Sequence, residues 1–178
     1  MTELPVPLEG IRLFELKLYG DARGFFTERF REDHWPQLAN FVQENHSRSA
    51  PRVLRGLHFQ TSPRQSKLVS VTRGRIFDVA VDLRQGSHTY GNWYGTELSD
   101  LNARVLWVPY GFAHGFCVLG TESADVIYKV DGFYNPQTEG GVRWDDPAIG
   151  VDWPVHDPIL SPKDVALPSL RALEPLAP

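Results

Sequence analysis

The stretch Lys67-Leu68-Val69-Ser70-Val71-Thr72-Arg73-Gly74-Arg75-Ile76-Phe77-Asp78-Val79-Ala80-Val81-Asp82-Leu83 decides the fold class. Val69 and Val71 share one parity. Beyond Arg73-Gly74, Phe77, Val79, Val81 and Leu83 alternate with Asp78, Ala80 and Asp82. Successive side chains of a strand point to opposite faces, so this period of two marks β-structure and not helix. We expect two strands meeting at a turn or bend near Gly74, each with one face buried.

The same texture extends outward in both directions. Upstream, 12–18, 25–30, 41–46 and 53–59 read as short strands between turn residues; downstream, 92–98, 103–108, 113–118 and 124–130 do the same. One short helical turn is expected at 32–38, and Asp100-Leu101-Asn102 reads as a hairpin turn. Many short strands with almost no helix mean a sandwich or barrel. After Val130 the prolines at 136, 147, 154, 158, 162 and 168 interrupt any long strand or helix. That segment carries Trp144 and Trp153, so it is expected to wrap the barrel as ordered, coil-rich chain. No repeat, low-complexity tract or linker divides the sequence, and a single domain over 1–178 is expected, with its barrel core at about 40–135.

The composition is that of an ordinary globular protein: 42% hydrophobic and 22% charged residues, with 15 Gly and 14 Pro favouring turns. No apolar run reaches the roughly 18–20 residues of a membrane helix, no secretory signal is visible, and a cytoplasmic location is the default. The lone Cys117 excludes an internal disulfide and a cysteine-built zinc site. The formal charge of −4 argues against general nucleic-acid binding. Between Arg23 and Arg75, however, ten Lys/Arg stand against four acids, so this third of the chain carries +6 and the remainder −10. A basic region on an acidic protein suits a small anionic ligand held by Arg forks, or else a set of solvated strand-edge charges.

Two histidines lie in strand contexts beside glycines: His58 in Arg55-Gly56-Leu57-His58-Phe59-Gln60, and His114 in Pro109-Tyr110-Gly111-Phe112-Ala113-His114. The Pro-x-Gly-x-x-His spacing resembles the second conserved stretch of the cupin superfamily. In metal-binding cupins the first stretch supplies His-x-His and a Glu. Here Phe59-Gln60 follow His58, and the next strand brings Lys67, whose ammonium repels a cation. This is a poor metal site. Each histidine taken alone also reads as a satisfied core residue.

Taken together, Gly20-Asp21-Ala22-Arg23-Gly24-Phe25-Phe26, Gln43-Glu44-Asn45-His46-Ser47, Leu54 through Gln60, Phe77 through Asp82, Gly111 through Phe116, Ile127-Tyr128-Lys129, Tyr134-Asn135-Pro136 and Leu160-Ser161-Pro162-Lys163-Asp164 resemble the dTDP-4-dehydrorhamnose 3,5-epimerase family, in order and over nearly the whole chain. The resemblance implies an all-β, cupin-type jelly-roll barrel, a homodimer, and no metal or organic cofactor. It implies a nucleotide-sugar substrate, dTDP-4-dehydro-6-deoxy-glucose, epimerised at C3 and C5 on the way to L-rhamnose. By motif match His58 would be the base, held by Asp164, and Tyr128 the acid on the opposite face of the sugar. Lys67 and Arg55 would lie near the ketone and phosphates, and His114 would line the pocket. Arg23, Phe26, Glu28, Gln43, Asn45, Glu139 and Lys163 match substrate contacts, and Tyr134 the ring that stacks on thymine. By local sequence alone Tyr128 is a core aromatic, Tyr134 a loop aromatic and Asp164 an Asp ending a turn. Their roles come from the resemblance.

Parity raises one difficulty. In a regular strand Arg55 and His58 face opposite sides of the sheet. Both reach one pocket only if the strand is irregular near Gly56. Alternative readings are an enzyme inverting only C3 or only C5 of a related keto-sugar, a metal-dependent cupin oxygenase, and a sugar-binding cupin without activity.

Overall fold

The computed structural model describes residues 1–35 and 38–177. Among them run thirteen strands, in chain order β1 (Thr2–Leu4), β2 (Arg12–Glu15), β3 (Tyr19–Asp21), β4 (Gly24–Phe26), β5 (Gln43–Ser49), β6 (Leu54–Gln60), β7 (Lys67–Arg73), β8 (Arg75–Asp82), β9 (Trp93–Ser99), β10 (Arg104–Val108), β11 (Phe112–Val118), β12 (Ala124–Val130) and β13 (Glu139–Gly141), and one short helix, α1 (Pro162–Val165). A six-stranded sheet has the order β1-β2-β10-β7-β12-β5, a five-stranded sheet the order β13-β6-β11-β8-β9, and β3-β4 stand apart as a hairpin. The named pairings are antiparallel. The chain crosses between the two sheets at nearly every connection, which is the jelly-roll pattern. No described helix is long and apolar enough to cross a membrane.

The expected break at Gly74 separates β7 from β8, and these strands lie in opposite sheets. Gly74 has φ +75°, and a Cβ there would sit 2.7 Å from the Ser123 carbonyl oxygen, so the crossing admits only glycine without strain. The Asp100-Leu101-Asn102 turn is present, but it too joins strands of different sheets, β9 and β10, and is not a hairpin turn. The strands expected at 12–18 and 25–30 are shorter in the structure, ending at Glu15 and Phe26. Of the helical turn expected at 32–38, Glu32–His34 forms a 3-10 turn, and Pro36 and Gln37 lie outside the described residues.

β8 departs from the expectation of a single buried face. Ile76 and Ala80 enter the core between the sheets, with Val69, Val71, Val126, Leu106 and Phe116. Val79 and Val81, on the opposite parity, pack with Leu54, Leu57 and Cys117 against Val142, Ile149, Trp153, Leu170 and Leu176 of the C-terminal segment. The proline-rich wrap thus covers the outer face of the five-stranded sheet. It turns what would be a solvated face into a second core, and each fully buried Val or Leu there contributes roughly 1.5–3 kcal/mol. Asp78 and Asp82, which share the parity of Ile76 and Ala80, are also buried in the structure. Asp82 accepts from Arg84, Ser87 and Thr89, and Asp78 accepts through Oδ1 from His114.

Candidate active site

The strand bearing His58 is irregular where parity demanded it. β6 pairs His58 with His114 but Arg55 with Phe116, so that two residues of β6 between these pairs stand opposite one of β11. The additional residue falls at Gly56-Leu57. Gly56 has φ +127°, and a Cβ on it would lie 2.6 Å from the Gly115 Cα. This bulge directs Leu54 and Leu57 to the outer core and lets both Arg55 and His58 line one cavity between the sheets.

That cavity, about 400 Å³, also receives Lys67 from β7, His114 from β11, Tyr128 from β12, and Lys163 and Asp164 from α1. Strands of both sheets and the C-terminal helix therefore converge on one space of the size a small ligand needs. His58 Nε2 lies 2.6 Å from Asp164 Oδ1. Burial pushes the Asp164 carboxyl up, but hydrogen bonds from His58 and Ser161 more than offset this and hold it below its ordinary value. With Nε2 engaged, Nδ1 is the ring nitrogen left for proton transfer. His114 lies on the strand beside His58, its Nε2 2.6 Å from Asp78 Oδ1.

Lys67 Nζ approaches the His58 carbonyl at 3.5 Å. Burial lowers its pKa to about 8, against the opposing pull of Glu139 and Asp78. Burial likewise raises the Tyr128 phenol, reinforced by Glu139 and opposed by Arg55, so the group stays protonated at neutral pH. Arg55 is held by two neutral oxygens, the Ser49 hydroxyl at 2.9 Å and the Arg48 carbonyl at 3.4 Å.

Gln43, Asn45, Tyr134 and Glu139 belong to a connected group of side chains beside the cavity. Gln43 donates to Asn45 Oδ1 at 2.8 Å and accepts from the Tyr134 amide at 3.1 Å. Tyr134 donates its hydroxyl to Glu139 at 2.7 Å, and Lys163 donates to the same carboxylate. Burial raises Glu139, but Lys163 and Tyr134 outweigh it and leave the carboxyl below its usual value. Arg23, Phe26 and Glu28 are not brought to the cavity. Arg23 and Phe26 sit on the β3-β4 hairpin, beside a separate surface recess, and Phe26 is 68% exposed. Glu28 follows in irregular chain, 3.9 Å from Arg31.

Three residues of the site were not singled out from sequence. Ser161 caps α1 by accepting from the Asp164 amide and donates its hydroxyl to Asp164 Oδ2 at 2.8 Å. The pattern Ser-Pro-Lys-Asp, a capping residue followed by proline and an acid three positions on, could have announced it. Gln60, fully buried, donates to the Pro63 and Phe133 carbonyls and accepts from the Asn135 amide, so it anchors the loop of Tyr134. Ser47 lines the cavity with no sequence signal beyond its place beside Asn45. Among the described residues no three His, Cys, Asp or Glu side chains gather as metal ligands.

A family model described as dTDP-4-dehydrorhamnose 3,5-epimerase matches residues 5–172. A dTDP-4-dehydrorhamnose 3,5-epimerase of Shigella flexneri is 48% identical over 169 residues, covering 92% of this chain and 91% of the relative. One of Neisseria gonorrhoeae is 51% identical over 170 residues, 93% of this chain; the chain spans about half of that protein, 52%. Among solved structures, a dTDP-6-deoxy-D-glucose-3,5-epimerase of Legionella pneumophila in complex with dTDP-4-keto-L-rhamnose superposes with a TM-score of 0.93 at 44% identity, over 97% of this chain and 94% of that one.

Proposed function

The chain belongs to the dTDP-4-dehydrorhamnose 3,5-epimerase family, and from that premise we propose that it epimerises dTDP-4-dehydro-6-deoxy-D-glucose at C3 and C5, giving dTDP-4-dehydro-L-rhamnose. The observation that carries this reading is the 2.6 Å His58–Asp164 contact in a cavity that Lys67 and Tyr128 also line. C3 and C5 flank the C4 ketone, so a proton leaves either carbon as its electrons move onto the ketone oxygen. Such a proton is more than about ten pK units less acidic than imidazolium, a gap on the order of 14 kcal/mol. A base alone does not close that gap.

In the proposed sequence His58 Nδ1 takes the proton, and Asp164 orients the ring and favours the resulting imidazolium. The Lys67 ammonium, still charged at neutral pH with a pKa of about 8, faces the developing enolate oxygen. Tyr128 returns a proton from the opposite side, which inverts the carbon. His58 and Tyr128 then reset by exchange with solvent. Every step uses side chains alone.

We further infer one epimerase domain, working in the cytoplasm as a homodimer. The β3-β4 hairpin supports the dimer: Tyr19, Phe25 and Phe26 are 55%, 59% and 68% exposed, an apolar cluster suited to a protein surface. In that assembly the hairpin of one protomer would bring Arg23 and Phe26 to its partner's cavity. The test is a proton NMR time course of the dTDP keto-sugar in deuterated water. Deuterium should enter at C3 and C5, and His58→Asn should abolish both exchanges while retaining nucleotide binding. Uptake at one carbon alone would mark a single-centre epimerase; no uptake would overturn the proposal.

A further inference from the structure

The fold repeats one contact on neighbouring strands. His58 of β6 and His114 of β11 are paired across the ladder, and each has its Nε2 2.6 Å from a buried carboxylate, Asp164 and Asp78 respectively. The two carboxylates differ in what holds the second oxygen. Asp78 Oδ2 is buried without a hydrogen-bond partner. Asp164 Oδ2 accepts from the Ser161 hydroxyl at 2.8 Å, and the Gly56 amide at the β6 bulge also acts on this carboxylate. The Asp164 side chain is 4% exposed, so solvent does not substitute for that hydroxyl. Ser161 Oγ in turn accepts from the Asp164 amide at 3.1 Å, so its proton is what serves Oδ2. Of the two carboxylate–imidazole contacts, the one proposed to carry the base is the one braced on both sides.

We propose that Ser161 is a positioning residue for proton abstraction, its hydroxyl fixing the Asp164 carboxylate so that Oδ1 holds the His58 ring with Nδ1 left for the substrate. The inference rests on the epimerase reading above and adds a residue that acts through Asp164 and His58, not on the reacting carbon. The carboxylate torsion of an aspartate is broad, so a partner on Oδ1 alone leaves the group free to turn. A second partner on Oδ2, itself tied to the backbone of the same helical turn, removes that freedom. Pro162 at the start of α1 presets the backbone that follows Ser161, which holds the brace in place. A misplacement of about 1 Å at a reacting group costs on the order of a hundredfold in rate. Loss of the hydroxyl therefore lowers turnover and leaves nucleotide affinity as it is.

The experiment compares wild type, Ser161→Gly and Ser161→Thr in deuterium exchange at saturating dTDP keto-sugar, in calorimetric titration with dTDP, and in denaturant unfolding. Glycine caps a helix nearly as well as serine, so the unfolding midpoint of Ser161→Gly should stay close to that of wild type. Its turnover should fall about tenfold or more, the size of one hydrogen bond to a charged group, with dTDP affinity unchanged. Ser161→Thr keeps the hydroxyl, and its methyl has room because Ser161 reaches the surface; it should recover most of the lost turnover. Wild-type turnover in Ser161→Gly would overturn the proposal. So would a fall in turnover matched by an equal loss of dTDP affinity or of stability, or a Ser161→Thr protein no more active than Ser161→Gly. A wild type that exchanges no deuterium would instead sink the epimerase reading itself.

Discussion

At the scale of the residue, the fold adjusts the charge of Lys67. Burial brings its pKa from 10.5 to about 8. Between those values the unfolded chain binds a proton that the folded chain does not, so stability rises with pH across that window and is pH-independent in this respect below it. The gain is on the order of 3 kcal/mol at about 1.36 kcal/mol per unit. Thermal denaturation at pH 7.5 and pH 10 should therefore show wild type gaining on Lys67→Met. Turnover depends on the same proton in the opposite sense: if the ammonium stabilises the enolate, exchange in wild type declines as pH passes about 8. A flat rate up to pH 10 would remove Lys67 from that role. Lys67 was legible as an obstacle to metal binding. Its burial was not, because it depends on how closely Glu139, Asp78 and the sheet walls surround it.

The element that matters most is β6. Its two cavity-lining polar residues, Arg55 and His58, have opposite parity, and one bulge reconciles them. Gly56→Ala would place a Cβ 2.6 Å from the Gly115 Cα at φ +127°, a conformation that L side chains rarely adopt. The variant should lose about 2–4 kcal/mol in denaturant unfolding, from strain and from displacement of β11. It should also lose kcat/KM beyond its loss of stability, because Arg55 and His58 no longer converge. A variant with wild-type stability and activity would show that the bulge is incidental. The irregularity was legible as a parity conflict in Arg55-Gly56-Leu57-His58, since strand geometry is local. The partner that makes glycine obligatory is Gly115, on another strand, and no local pattern names it.

For the whole molecule, Arg23 and Phe26 lie on the β3-β4 hairpin and outside the cavity of their own chain. If the β3-β4 hairpin serves the neighbouring protomer, a mixture of Arg23→Ala and His58→Asn proteins should regain activity. Random exchange of subunits leaves about a quarter of the sites with both residues intact. Each variant alone should be nearly inactive, and light scattering should give the mass of two chains. A monomeric mass, or a mixture no more active than its parts, would refute the exchange.

Much of this protein was decided by local chemistry. The period of two around Gly74 dictates strands, the prolines after Val130 keep regular elements short, and the motif order identifies the family. These follow from backbone sterics and from residue types, which act over a few positions. Tertiary structure decided the rest. It buried one face of β8 between the sheets and the other beneath the wrap, placed β9 and β10 in different sheets, and brought Asp164 to within 2.6 Å of His58 across 106 residues of chain. Such outcomes depend on which surfaces meet when two sheets and a C-terminal segment close on one core, and that is a property of the packed molecule and not of any stretch of it.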